Sequence, residues 1–165
     1  MNPNNESSML CDVVEEQHLP TKIDVLLVRP GMYPQPVQIN YSLESLERAV
    51  DGSIEAIYPF ADQVVLIVNA VGKHKGLELN RSLRDDRGNI YDILAGNFHV
   101  VGDGVTDFCS LSPKLMRKYE QFFHQPEVFI NAGGLPLSVP LPDSMVKKPD
   151  PLINDPVFNS KEPKS

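Results

Sequence analysis

Five consecutive apolar residues, Val64-Val65-Leu66-Ile67-Val68, constrain this chain more than any other feature. Branching at Cβ restricts χ1 and suits a pleated surface. A continuous apolar run of this length is what a central strand needs when both of its faces are covered. The run therefore predicts a sheet core, and the neighbouring segments supply its other parts. Lys22 through Arg29 is rich in branched residues and is stopped by Pro30-Gly31, so it reads as a strand. Ile54 through Tyr58 alternates apolar and polar, as a half-buried strand does. Phe98-His99-Val100-Val101 and Phe108-Cys109-Ser110-Leu111 read as two more, with a Gly102-Asp103-Gly104 turn between them. Pro34 and Pro36 restrict residues 31–41 to a loop or an edge, where Val37-Gln38-Ile39 can pair. Asn69-Ala70-Val71-Gly72 reads as a turn and Leu77-Glu78-Leu79 as a partner strand, which makes 64–79 a hairpin. Residues 82–89 read as a charged excursion.

Two helices are specified by their caps. The Ser42 hydroxyl can accept from a free amide of a first turn, Leu43, Leu46 and Val50 recur at helical spacing, and Gly52 stops the helix. Ser112-Pro113 opens the second, with proline at the first helical position. Leu115, Met116, Tyr119, Phe122 and Phe123 form its apolar face. The expectation is an α+β domain: a small, mostly antiparallel sheet of about five to six strands with two helices. It spans residues 21–130, with a flexible lead over 1–20 and a proline-rich tail over 131–165. Seven of the 15 prolines fall in that tail. Leu135, Leu137, Val139 and Leu141 alternate within it, so part of it can dock in extended form.

The formal net charge is −7. There is no basic stripe, so direct nucleic-acid binding is disfavoured. No apolar run approaches a membrane span, and the first residues lack the pattern of a secretory signal. Cys11 and Cys109 are too few for a disulfide framework, which fits a reducing, cytoplasmic setting.

Several segments together resemble a small bacterial and phage domain family. They are Val64 through Lys73, Gly76 through Leu83, Asp92 through Phe98 and Asp107 through Leu111, preceded in order by Pro30-Gly31 and Gly52-Ser53-Ile54-Glu55. The resemblance covers about residues 22–124. Ala70 and Asp51 depart from the pattern, where Glu and Gly respectively are common. The family is catalogued as a domain of unknown function. It implies a mobile-element or accessory context in bacteria and phages, and no activity.

The candidate ligand-binding residues are Asn69, Lys73, Asn80 and Arg81, with Gly72 among them. Lys and Arg could meet an anion, Arg through a planar fork. The bland alternative is a turn in which Asn and Gly supply left-handed backbone. Gly72-Lys73 lacks the upstream glycine and following Ser or Thr of a phosphate loop. Asp103 and Asp107 fit a hairpin turn better than a calcium loop, because the alternating ligands and distal Glu are missing. His74, His99 and His124 have no metal-site spacing, and Cys109 fits a small buried hydrophobe. No catalytic residue, metal or cofactor is assigned.

The preferred expectation is a binding or interaction module whose partner is an unknown protein or a small anionic ligand. One alternative is a small enzyme on a nucleotide or other phosphorylated compound, with Lys73 and Arg81 as clamps and His99 or Asp92 as base. The other is an acidic inhibitor of a defence enzyme.

Overall fold

A computed structural model describes residues 21–149. The elements are β1 (Lys22–Val28), β2 (Gln35–Asn40), α1 (Leu43–Val50), β3 (Ile54–Ile57), β4 (Val64–Asn69), β5 (Leu79–Arg84), β6 (Ile90–Ala95), β7 (Phe98–Asp103), β8 (Phe108–Cys109), α2 (Pro113–Phe122), β9 (Glu127–Ala132) and β10 (Leu135–Pro140). A 3₁₀ turn, Asp143–Met145, follows. The fold is α+β, and every strand pair is antiparallel. The expected lead over residues 1–20 lies outside the described residues.

The main sheet has six strands in the order β2-β1-β7-β4-β3, with β8 paired to β7. The apolar run that predicted a central strand forms β4, which is buried at all six positions. Its neighbour β7 pairs with both β1 and β4. Period-two alternation sorts the side chains onto two faces. One face carries Leu26, Val28, Leu66, Phe98 and Val100, packed with Tyr119 and Phe123 of the α2 end and with Leu83 and Leu94 of β5 and β6. The other carries Ile23, Val25, Val65, Ile67 and Val101 beneath Leu46 of α1. The edge reading of residues 31–41 holds, since among the described residues β2 pairs only with β1.

Both helices start as their caps dictate. Ser42 Oγ accepts from the Ser45 amide at 3.1 Å, and Ser112 Oγ accepts from the Leu115 amide at 3.2 Å. The end of α1 differs from the expected glycine stop. Asp51 itself turns left-handed, with φ 64°, and its amide donates to the carbonyls of Arg48 and Glu47. Leu43 and Phe122, both expected on buried faces, are more than half exposed, although Phe122 keeps ring contacts with Phe60 and Phe123. Ser45 takes the buried place beside Leu46 and Val50.

The expected 64–79 hairpin does not form. β4 is flanked by β3 and β7, and β5 pairs with β6 instead. The chain between them coils through local bonds, from Lys75 N to Val71 O and from Leu77 N to Gly72 O, which carries it off the sheet plane. The charged excursion is therefore the end of β5 and a turn closed by Asp85, whose carboxylate accepts from the amides of Arg87 and Asn89.

The segment from 131 onward opens as structure, because β10 pairs in full register with β9. Gly133 and Gly134, with φ 62° and 87°, make the two-residue turn. Positive φ at both positions is what such a turn requires, and glycine adopts it without strain.

Candidate functional site

The four candidate ligand residues fall into two places. Asn69 ends β4 and is buried. Its Nδ2 donates to the carbonyls of Val50 at 2.9 Å and Asp51 at 3.1 Å, and its Oδ1 accepts from the Val71 amide at 2.9 Å. It ties the end of α1 to the end of β4, which is a structural duty. Lys73 lies in the same region, a shallow groove of about 180 Å³. It is ion-paired to Asp92 at 2.6 Å. Asn80 and Arg81 sit elsewhere, on β5. Asn80 Nδ2 donates to the carbonyls of Val28 at 3.0 Å and Gly96 at 2.8 Å, and its Oδ1 accepts from Arg81 at 2.9 Å.

Arg81 is 1% exposed. Its Nε donates to the Phe123 carbonyl at 2.9 Å and one terminal nitrogen to the Met32 carbonyl at 2.7 Å. Together with the bond to Asn80, these contacts join β5, the end of α2 and the β1–β2 loop. Among the described residues no carboxylate lies at ion-pair distance from it. Burial pushes its pKa down to about 10, and Glu127 acts in the opposite sense.

Arg81 is part of the wall of a groove of about 530 Å³ between the β5–β6 turn, the end of α2 and the inner face of β9–β10. Volumes of this size are typical of small-ligand sites. Its other walls include Ser82, Arg84, Phe122, Gln125, Glu127, Ser138 and Pro140. Glu127 is fixed by three donors: the Ser82 amide at 3.0 Å, the Ser82 hydroxyl at 2.7 Å and the Ser138 hydroxyl. Phe122 is 56% exposed at the rim, its ring set edge-on to Phe60 and Phe123.

Lys73 and Arg81 thus line different grooves. His99 does not join either one. It is fully buried beneath α1, neither ring nitrogen has a hydrogen-bond partner, and burial lowers its pKa to about 4. The convergence of Lys73, Arg81 and a base at His99 or Asp92 is not present. His74 is exposed, and His124 stacks on Tyr33 at 4.6 Å. Among the described residues no group of His, Cys, Asp and Glu could hold a metal. Cys109 is half-buried and disulfide-bonded, which corrects the reading of it as a buried hydrophobe.

Three wall residues, Arg84, Glu127 and Ser138, were not among the candidates. Arg84 lies in the charged excursion, Glu127 beside a short apolar piece and Ser138 in the proline-rich tail. Only the pairing of β9 with β10 places Glu127 and Ser138 on one face, and no local spacing signals it.

A family model described as a domain of unknown function, DUF3846, matches residues 23–124. The chain belongs to this family. No curated protein and no solved structure matches it. The DUF3846 match begins inside β1 and ends just after α2, so it takes in the main sheet, both helices and the β5–β6 hairpin. β9 and β10 lie beyond it. The groove therefore has one wall from the DUF3846 domain, with Arg81 and Ser82, and one from the following hairpin, with Glu127 and Ser138.

Proposed function

We propose that this protein is a non-enzymatic binding module, and that the Arg81 groove holds a small ligand through an anionic group. The observation that carries this reading is the exposed cation in the groove wall: Arg84 stands there beside the buried Arg81, and a carboxylate or phosphate oxygen is the natural acceptor for its guanidinium. The site moves from the Lys73 turn to the groove, because Lys73 is already paired with Asp92. The setting belongs to the same reading: an accessory protein of a bacterium or mobile element, acting in the cytoplasm. Among the described residues no helix is long and apolar enough to cross a membrane. The disulfide at Cys109 is the feature a reducing compartment would have to accommodate.

The test is a titration of the ¹⁵N-labelled full chain with inorganic phosphate and with N-acetyl-L-phenylalanine. At least one should shift the amides of Arg81, Ser82 and Ser138. Arg84→Ala, at an exposed position, should weaken that binding about threefold to tenfold without unfolding the chain. Shifts confined to the Lys73 loop, or none at all, would sink the proposal.

A second reading, recognition of a protein partner, is favoured by the outer face of β9–β10. Val128, Ile130, Leu135, Leu137 and Val139 are all exposed there, and contiguous apolar surface of this kind is unusual unless it is used.

A further inference from the structure

Cys109 is disulfide-bonded, and the sequence holds one other cysteine, Cys11. Cys109 lies in β8, opposite Gly102 of β7. A Cβ added at Gly102 would stand 2.6 Å from the Ser110 carbonyl oxygen and 3.0 Å from Cys109 Sγ, so the glycine lets β8 and its sulfur sit close on β7. The start of the described chain reaches the same corner. The Tyr41 amide donates to the Thr21 carbonyl at 2.8 Å, and the Tyr41 hydroxyl donates to the Asp107 carboxylate. The Asp24 amide donates to Ser110 Oγ at 2.8 Å, and the Leu111 amide donates to the Asp24 carbonyl at 2.9 Å. Residues 21–24 therefore run beside residues 107–111. Only residues 12–20 separate Cys11 from Thr21, and an extended span of that length covers about 30 Å, more than this corner requires. So short a link gives Cys11 a high effective concentration at Cys109, which a second copy of the chain would have to match.

We infer that Cys109 is bridged to Cys11, and that the bridge is a redox-labile tether anchoring the segment before β1 at the corner of β1, β2 and β8. Cys109 is half-buried rather than enclosed in the core, a setting in which a bridge can exchange with a small dithiol. One thiolate of the dithiol attacks a bridge sulfur, and the S–S bond breaks to leave a mixed disulfide and one free cysteine. The second thiolate then closes the reagent's own disulfide ring and releases the other cysteine. Two electrons pass from the dithiol to the bridge, and an oxidised dithiol runs the exchange in reverse. The tether stands independently of the groove, and a reducing compartment is where it opens.

The experiment uses the full chain purified without reductant. Alkylation with iodoacetamide in denaturant should modify neither cysteine before dithiothreitol and both after it. A digest of the unreduced chain should contain a Cys11–Cys109 cross-linked peptide. Under native conditions dithiothreitol should open the bridge and shift the amides of Tyr41, Asp107 and Phe108, with those of Ser82 and Ser138 unmoved. It should also lower the urea midpoint, because a closed loop restricts the unfolded chain. Cys11→Ser should begin at that lower midpoint and not respond to dithiothreitol. Free thiols in the unreduced chain, or a dimer bridged through Cys109 alone, would overturn the pairing. A bridge that resists dithiothreitol until urea unfolds the chain would overturn the labile tether, as would a midpoint that reduction leaves unmoved.

Discussion

The six-stranded sheet and the β9–β10 hairpin are antiparallel ladders built from similar residues, yet they differ in almost everything else. β4 is buried at every position, whereas five of the six residues of β10 are exposed. Backbone pairing is equally regular in both. The difference is cover. The sheet has α1 on one face, and α2 with β5–β6 on the other. The hairpin gives its inner face to the groove and leaves its outer face open. Hydrogen bonding makes a ladder, but burial of apolar area decides whether it supports the fold. The hairpin is thus free to shape a site at small cost to stability.

The sharpest way to break this contrast is to truncate one leucine in each ladder. Leu66→Ala in β4 removes a fully buried side chain and leaves a cavity between two packed layers. It should lower stability by about 2–5 kcal/mol. Leu137→Ala in β10, where the side chain is 48% exposed, should cost less than about 1 kcal/mol. Urea unfolding measures both. Comparable losses would mean that the hairpin's outer face is covered in solution.

The second effect lies inside the sheet. His99 is neutral when folded, with a pKa of about 4 against 6.5 in an unfolded chain. Below pH 6.5 the unfolded chain takes up a proton that folded His99 refuses. Stability therefore falls as pH drops from 6.5 to about 4, and this contribution levels off below that. The shift corresponds to roughly 3 kcal/mol. Ile23, Val25, Leu46, Val65, Ile67 and Val101 form the apolar core on that face, and burial there disfavours the charged imidazolium. The informative quantity is the difference between the wild-type and His99→Leu profiles, which removes contributions common to both. A wild-type profile parallel to that of the variant from pH 4 to 7 would show that His99 finds a partner in solution.

The sheet was legible in the sequence because its signals are local. The β4 run, the alternation of β3 and the two serine caps each depend on fewer than a dozen adjacent residues. The β9–β10 pairing is harder to read, because the prolines of β10 mask the hairpin signal of Gly133-Gly134 between alternating apolar residues. Pro136 and Pro140 are tolerated there because β10 is an edge strand. The site was half legible. Arg81 stands out in the sequence, but Glu127, which shares the groove wall, is 46 positions away and comes near only through tertiary packing. Asn69 and Lys73 looked like a site because turn chemistry and ligand chemistry use the same residue types.

That ambiguity sets up the smallest prediction, made within the turn itself. Asn69→Ala should cost about 1–3 kcal/mol, since it strips the carbonyls of Val50 and Asp51 and the amide of Val71 of a buried partner. Lys73→Ala should cost no more than about 1 kcal/mol, because its bond to Asp92 is largely solvent-exposed. Neither substitution should alter binding in the Arg81 groove. If Lys73→Ala left stability untouched but abolished phosphate binding, the turn would be the site, and the hairpin's inner face would be scaffolding.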